Sequence, residues 1–358
     1  MQKFYNIIRE NPEIWHIFTR EEEYSSPVLD QHDRFQFSQS KYKEILKPIV
    51  SEYLIKNGFG ISYPENKPFC VCLTHDVDEI YPPLQHTFLS SLACCKKFDI
   101  DGIKKQIFWR FSNKEKSPYW NFNQIMDIEA KYEAQSSFYF LATDSDIRRF
   151  RYKIEDLEGE LGSISDQGCE VGLHGGYYAY DNLEEVLKEK HRLEKVLEKK
   201  IIGFRNHYLR FKVPNSWVLL AKAGFEYDST LAYSEILGFR NGMCHPFFPY
   251  DLTTGTYENI IELPLSMMDS TLFSISKTFV DAWHHAEQCI NIVEKYQGVL
   301  VINWHSNSFN CAYKRQWQKL YEKILDHCYQ KNAWMTNGQE ITNFLKNTNT
   351  WYDFRRIL

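Results

Sequence analysis

From residue 69 onward the chain alternates short apolar runs with longer segments whose apolar positions recur every three or four residues. The runs 69–73, 137–141, 169–173, 201–204, 225–227, 260–263 and 299–303 have the length and composition of buried strands. Among the segments between them, 182–198 predicts the clearest helix. Leu183, Val186, Leu187, Leu193, Val196 and Leu197 share one face there, and Asp181 is placed to cap the N-terminus. Further helices are predicted at 122–134, 154–167, 216–223, 282–296 and 315–330. Residues 1–66 lack this rhythm, with only weak helical periodicity over 42–54 and a turn-rich close at 58–68. The chain therefore divides into an N-terminal extension or small subdomain, 1–66, and a main domain, 67–358.

Strands alternating with helices predict an α/β fold on a parallel sheet, either doubly wound or closed as a barrel. The barrel is preferred because polar residues follow the strands one after another: Asp76 and Asp78, Asp144, His174, Arg205 and His207, Asp228, and His305. Functional groups in such barrels gather at the carboxyl ends of the strands. The connection between Asp228 and Glu262 is long and rich in aromatics, with Tyr233, Phe239, Arg240, His245, Phe247, Phe248 and Tyr250, and is expected to form a lid or a substrate wall.

Charge and cysteine usage narrow the partners. Lys and Arg number 42 against 47 Asp and Glu, so the basic footprint of a nucleic-acid binder is missing. The densest charged stretch, 188–200, alternates in sign and reads as a solvated helix face. Nine cysteines, with Cys70/Cys72 and Cys94/Cys95 close together, suit neither a disulfide framework nor a zinc-ribbon spacing, and a reducing compartment fits them. With no secretory signal and no apolar run of about 18 residues, a cytoplasmic protein with no integral membrane segment is expected. Aromatics at 16% could stack on sugar rings or fill a core, and for a single ring the core is the commoner place.

The chemistry concentrates at four strand ends. Asp76 and Asp78, two apart after a long apolar run, are expected to diverge and take separate roles, one on a metal and one free. His174 precedes Gly175 and Gly176, which allow close approach of other backbone, and suits a metal ligand. Arg205 could hold a carboxylate bidentately and keep it ionised. His305, in Asn303-Trp304-His305, suits proton donation near neutral pH. His191, His284 and His285 lie on helical patterns and are expected at the surface. The sequence has no Gly-x-Ser-x-Gly, no phosphate-binding glycine loop and no His-Glu-x-x-His.

Taken together, Thr74-His75-Asp76-Val77-Asp78, Leu173-His174-Gly175-Gly176, Phe204-Arg205-Asn206-His207-Tyr208, Tyr227-Asp228-Ser229-Thr230 and Trp304-His305 resemble, in order, the motifs of the polysaccharide deacetylases, carbohydrate esterase family 4, over 69–346. The resemblance implies a distorted (β/α) barrel of about seven parallel strands. It implies removal of acetyl groups from an N- or O-acetylated sugar or polysaccharide precursor with a divalent metal, commonly zinc. Asp78 and His174 would hold the metal, Asp76 would act as base, Arg205 would tether Asp76, and His305 would protonate the leaving group. A backbone amide near Tyr208 would help hold the oxyanion. The family's second ligand histidine falls at Tyr178, so His207 is expected to replace it, with Asp181 as a rival. An acetylated sugar, nucleotide-sugar or lipid-linked glycan is the expected partner. Other readings of such a barrel are an amidohydrolase acting on a small nitrogenous ring and a catalytically silent glycan-binding module.

Overall fold

The computed structural model describes residues 2–25, 28–147 and 151–347. Its strands are β1 (Cys70–Val77), β2 (Ser137–Leu141), β3 (Glu170–Gly175), β4 (Gly203–Asn206), β5 (Tyr227–Asp228), β6 (Tyr250–Asp251), β7 (Thr256–Tyr257), β8 (Ile261–Glu262), β9 (Leu265–Met268), β10 (Val299–Asn303) and β11 (Trp334–Thr336). Eight of them form one parallel path in the order β8-β5-β4-β3-β2-β1-β10-β9. β11 pairs with the lower half of β1, Cys70 against Trp334, while β2 takes its upper half, Thr74 against Ser137.

The ends of this path, β8 and β9, are separated in the chain by Leu263 and Pro264 alone. Three peptide steps span at most about 11 Å, so the sheet has to curl until its two ends meet. This is the expected α/β barrel, with β9 and β11 added to the strands read from the sequence. β1, β2, β3 and β10 are buried at every position, which is why 70–73, 138–141, 171–173 and 299–302 within them read as apolar runs.

Helices Leu183–Leu197, Phe122–Ala130, Glu158–Asp166, Asn215–Lys222, Phe279–Lys295 and Arg315–Gln330 lie where helical periodicity predicts them. One cap differs. Asn182, extended at φ −125, accepts the Glu185 N–H at 3.2 Å, while Asp181 pairs with Lys212 at 3.0 Å. Near the start of the chain the helix is Ile49–Lys56; the segment before Pro48 turns instead of coiling.

The 229–260 connection is not a lid. Tyr233, Phe239, Arg240, His245, Phe247 and Tyr250 are buried, and of this stretch only Ser234 reaches the mouth of the barrel. Its aromatics turn away from the mouth because helices Gln2–Arg9, Pro12–Thr19 and Ile49–Lys56 supply Phe4, Tyr5, Phe18, Val50 and Leu54 to the same continuous core. Gly242, at φ +70, lets Val50 approach where a Cβ would collide, and the Val50 N–H donates to the Gly242 carbonyl at 3.0 Å. Below this contact lies a buried charge cluster. Arg20 Nε donates to Glu23 at 2.7 Å, Arg240 Nη2 donates to the same carboxylate at 2.6 Å, and Arg20 Nη1 donates to the Arg240 carbonyl at 2.8 Å. Such a cluster persists only with its hydrogen bonds satisfied, so the first segment is locked to the connection. All nine cysteines are free.

Candidate metal centre

β1 stays extended through Val77, and side chains two apart on a strand share a face. Asp76 and Asp78 therefore converge on one pocket instead of diverging: His174 Nε2 lies 3.8 Å from Asp76 Oδ2 and 3.4 Å from Asp78 Oδ1. His75 points the other way, to the Trp304 carbonyl at 2.7 Å and Glu129 at 2.8 Å, and takes no part in the site. Parallel register brings in the neighbouring strands, with Leu141 opposite His174 and His174 opposite Arg205.

His207 enters from the turn after β4, where Tyr208 (φ 61) and Leu209 (φ 53) both take left-handed conformations. This tight exit turns the His207 ring inward, with Nε2 at 3.4 Å from Asp78 Oδ1 and its centroid 5.1 Å from that of His174. One ligand atom each from Asp78, His174 and His207 lies within 4.8 Å of the others. Tyr178 is half exposed and packs on Tyr177 outside the cleft. Asp181 is engaged with Lys212.

The donor chemistry of the three fits a cation. His174 Nδ1 lies 2.9 Å from the Arg205 carbonyl, which can only accept, so Nδ1 carries the hydrogen and Nε2 faces Asp78. Burial pulls the His174 imidazole down, but Asp76 and Asp78 override it and hold its pKa above the ordinary value, so the pocket favours positive charge at Nε2. Burial lowers His207 to about 4, which leaves it a neutral ligand. Burial opposes charge on Asp78, yet the surrounding histidines hold its carboxyl well below the usual range, and its Oδ1 has no hydrogen-bond partner among the described residues. Two imidazole nitrogens and one carboxylate oxygen, with room for a further ligand, form a donor set suited to a divalent first-row metal.

Asp76 is held separately. Arg205 Nη1 donates to Oδ1 at 3.0 Å, and Asn303 Nδ2 donates to Oδ2 at 2.7 Å. The grip of Arg205 is single-point and not bidentate, because its Nε and Nη2 are spent on the Ser229 carbonyl and hydroxyl, each at 2.8 Å. Burial pushes the Asp76 carboxyl up, and His174, Arg205 and His305 outweigh that, leaving it ionised.

His305 approaches from β10, its Nε2 at 4.0 Å from Asp78 Oδ2. Its Nδ1 lies 2.6 Å from Asp269, a buried carboxylate just past β9. Burial lowers the His305 imidazole, but Asp269 more than reverses this and lifts it to about 9. Sequence reasoning missed Asp269. The signal was an apolar run ending in Asp, masked by Pro264. Also missed were Arg34 and Arg151, which line the same cleft of about 490 Å³; Arg34 donates to the Tyr208 carbonyl at 3.2 Å. Asp144 sits at the surface beside Lys188 and Arg192, and Asp228 is buried with Thr230; neither lines the cleft. The glycines after His174 make room for side chains, not backbone: a Cβ at Gly175 would meet Phe204, and one at Gly176 would meet Glu189 and Thr143.

No family model and no curated protein sequence matches the chain. Solved structures do. A Mycobacterium smegmatis protein assigned to the polysaccharide deacetylases superposes with a TM-score of 0.54 at 17% identity, over 81% of this chain and 94% of that one. A Pseudomonas aeruginosa PAO1 protein assigned to the same group gives a TM-score of 0.54 at 11% identity, with the same coverage of 81% and 94%. The barrel thus carries the polysaccharide deacetylase fold.

Proposed function

We propose that this chain is a metal-dependent deacetylase acting on an acetylated glycan or glycan precursor. The observation that carries this reading is the convergence of Asp78 Oδ1 with His174 Nε2 and His207 Nε2, beside an ionised Asp76 and across from His305. Asp78, His174 and His207 would hold the metal, which when bound would supply polarisation of the acetyl carbonyl and a lowered pKa for water.

The chain's own groups handle the protons. Asp76, fixed by Arg205 and Asn303, accepts the proton of the attacking water. His305, kept protonated by Asp269, gives a proton to the departing amine or alkoxide. Arg205 positions Asp76 through one N–H and keeps it ionised through its charge. The resemblance of the five motifs and the likeness of the fold support the same assignment.

Acetate release from acetylated sugars, nucleotide-sugars and lipid-linked glycans, measured with and without chelator, tests the reading. Chelator-sensitive release is expected. Opening of small ring amides with no acetate release would move the chain to amidohydrolysis, and glycan binding with neither reaction would make it a binding module.

A further inference from the structure

Between β1 and β2 the chain extends into two helices, Leu84–Cys95 and Ile100–Ile107, packed against each other. On the first, Leu84, Phe88 and Leu92 recur at i, i+4 and i+8, and all three face solvent. On helix Leu183–Leu197 a comparable spacing marks the face turned to the core. Phe98, in the turn between the two helices, is 92% exposed, and Ile100, Ile107, Phe108 and Phe111 continue the patch. Eight of the sixteen large hydrophobic side chains exposed among the described residues fall in 84–111. Such concentration marks an interaction surface.

Charge identifies the occupant. Residues 84–116 carry Lys96, Lys97, Lys104, Lys105, Arg110, Lys114 and Lys116 against Asp99, Asp101 and Glu115, a basic excess in a chain of net charge −5. A second copy docking face to face would bring like charge against like charge. Apolar side chains rimmed by lysines match an anionic bilayer, where the rings enter the acyl boundary and the ammonium groups meet headgroup phosphates. No helix among the described residues is long and apolar enough to cross a membrane, so such contact would be interfacial.

We infer that the 84–116 hairpin docks this protein on the surface of an anionic lipid bilayer. His86, on the helix that carries the exposed stripe, lines the metal-centre cleft. The inference is independent of the chemistry in the cleft, since binding is read without activity.

The test is co-sedimentation of the full chain with vesicles of phosphatidylglycerol and phosphatidylcholine, against phosphatidylcholine alone, with light scattering in the absence of vesicles. Binding to the anionic vesicles, weakened by salt, is expected. Phe88→Ser with Phe98→Ser, and separately Lys96→Glu with Lys97→Glu, should each weaken partition about tenfold or more. Unchanged thermal melts would show that these exposed substitutions leave the fold intact. Absence of binding, equal binding to neutral vesicles, equal binding by the variants, or a dimer that Phe88→Ser and Phe98→Ser dissolve would each overturn the inference.

Discussion

Asp269 grips His305 at two points: Oδ1 lies 2.6 Å from the imidazole Nδ1, and Oδ2 accepts the His305 backbone N–H at 3.1 Å. Ser308 completes the clamp with a 2.6 Å hydrogen bond to the same Oδ2. The ring is thereby fixed with Nε2 aimed at the centre. Asp269→Asn should retain the metal and lower kcat by about a hundredfold, the scale of a mispositioned acid. The imidazolium is fully present below the ordinary histidine pKa and is lost as pH rises through about 9. Without Asp269 the alkaline limb of the kcat profile should move down in pH, and an unmoved limb would remove His305 from the role of acid.

His207→Ala should reduce the metal retained after purification, measured by elemental analysis, as should His174→Ala and Asp78→Asn. Tyr178→His should not raise it, because that side chain is half exposed and outside the cleft. Full metal content in His207→Ala would show that the third ligand lies elsewhere.

Asp76→Asn separates base from ligand. The carboxamide presents its NH₂ to a pocket whose two partners, Arg205 and Asn303, are both donors. Metal content should persist while hydrolysis falls by roughly 10²–10⁴-fold, the usual contribution of a general base. A fully active Asp76→Asn would end the assignment.

Asp228 and Glu262 form a buried carboxyl pair away from the cleft, and burial lifts Asp228 to about 6 and Glu262 well above its ordinary value. Folded pKa values above the unfolded ones mean that the native state binds more protons. The pair's contribution is complete below about pH 4 and declines as pH rises through the folded values, at up to ~1.4 kcal/mol per pH unit for one proton. Asp228→Asn keeps an oxygen for the Thr230 hydroxyl and removes one charge. Its Tm should fall less than that of the parent between about pH 5 and pH 7. Parallel Tm curves would place the proton on another group.

The legible parts of the fold are those where one physical pattern acts alone. β1, β2, β3 and β10 are buried on both faces, so their lower stretches, 70–73, 138–141, 171–173 and 299–302, run apolar until the polar residues at the strand ends. β5 and β8, two residues each, survive in the sequence only as fragments of longer apolar runs. His174, Arg205, His207 and His305 stood out because they end strands. Asp269 did not, since Pro264 separates β9 from the run before it. Arg34 was invisible for another reason: its contact, the Tyr208 carbonyl, is 174 residues away in the chain. The stripe Leu84, Phe88 and Leu92 shows the limit of periodicity, which reports that a helix has an apolar face but not what lies opposite it.

The lock between Arg20, Glu23 and Arg240 also sets an order of events during synthesis. Arg20 and Glu23 leave the ribosome 220 and 217 residues ahead of Arg240, whose carbonyl accepts from Arg20 and whose guanidinium balances Glu23. At about 5–20 residues per second the interval is roughly 10–40 s. Throughout it, Tyr5 and Phe18 lack the Tyr250 and Phe247 rings against which they finally pack. Helices Gln2–Arg9 and Pro12–Thr19 are thus made well before they are completed, and the nascent chain carries an uncovered aromatic cluster until residues 247–250 emerge.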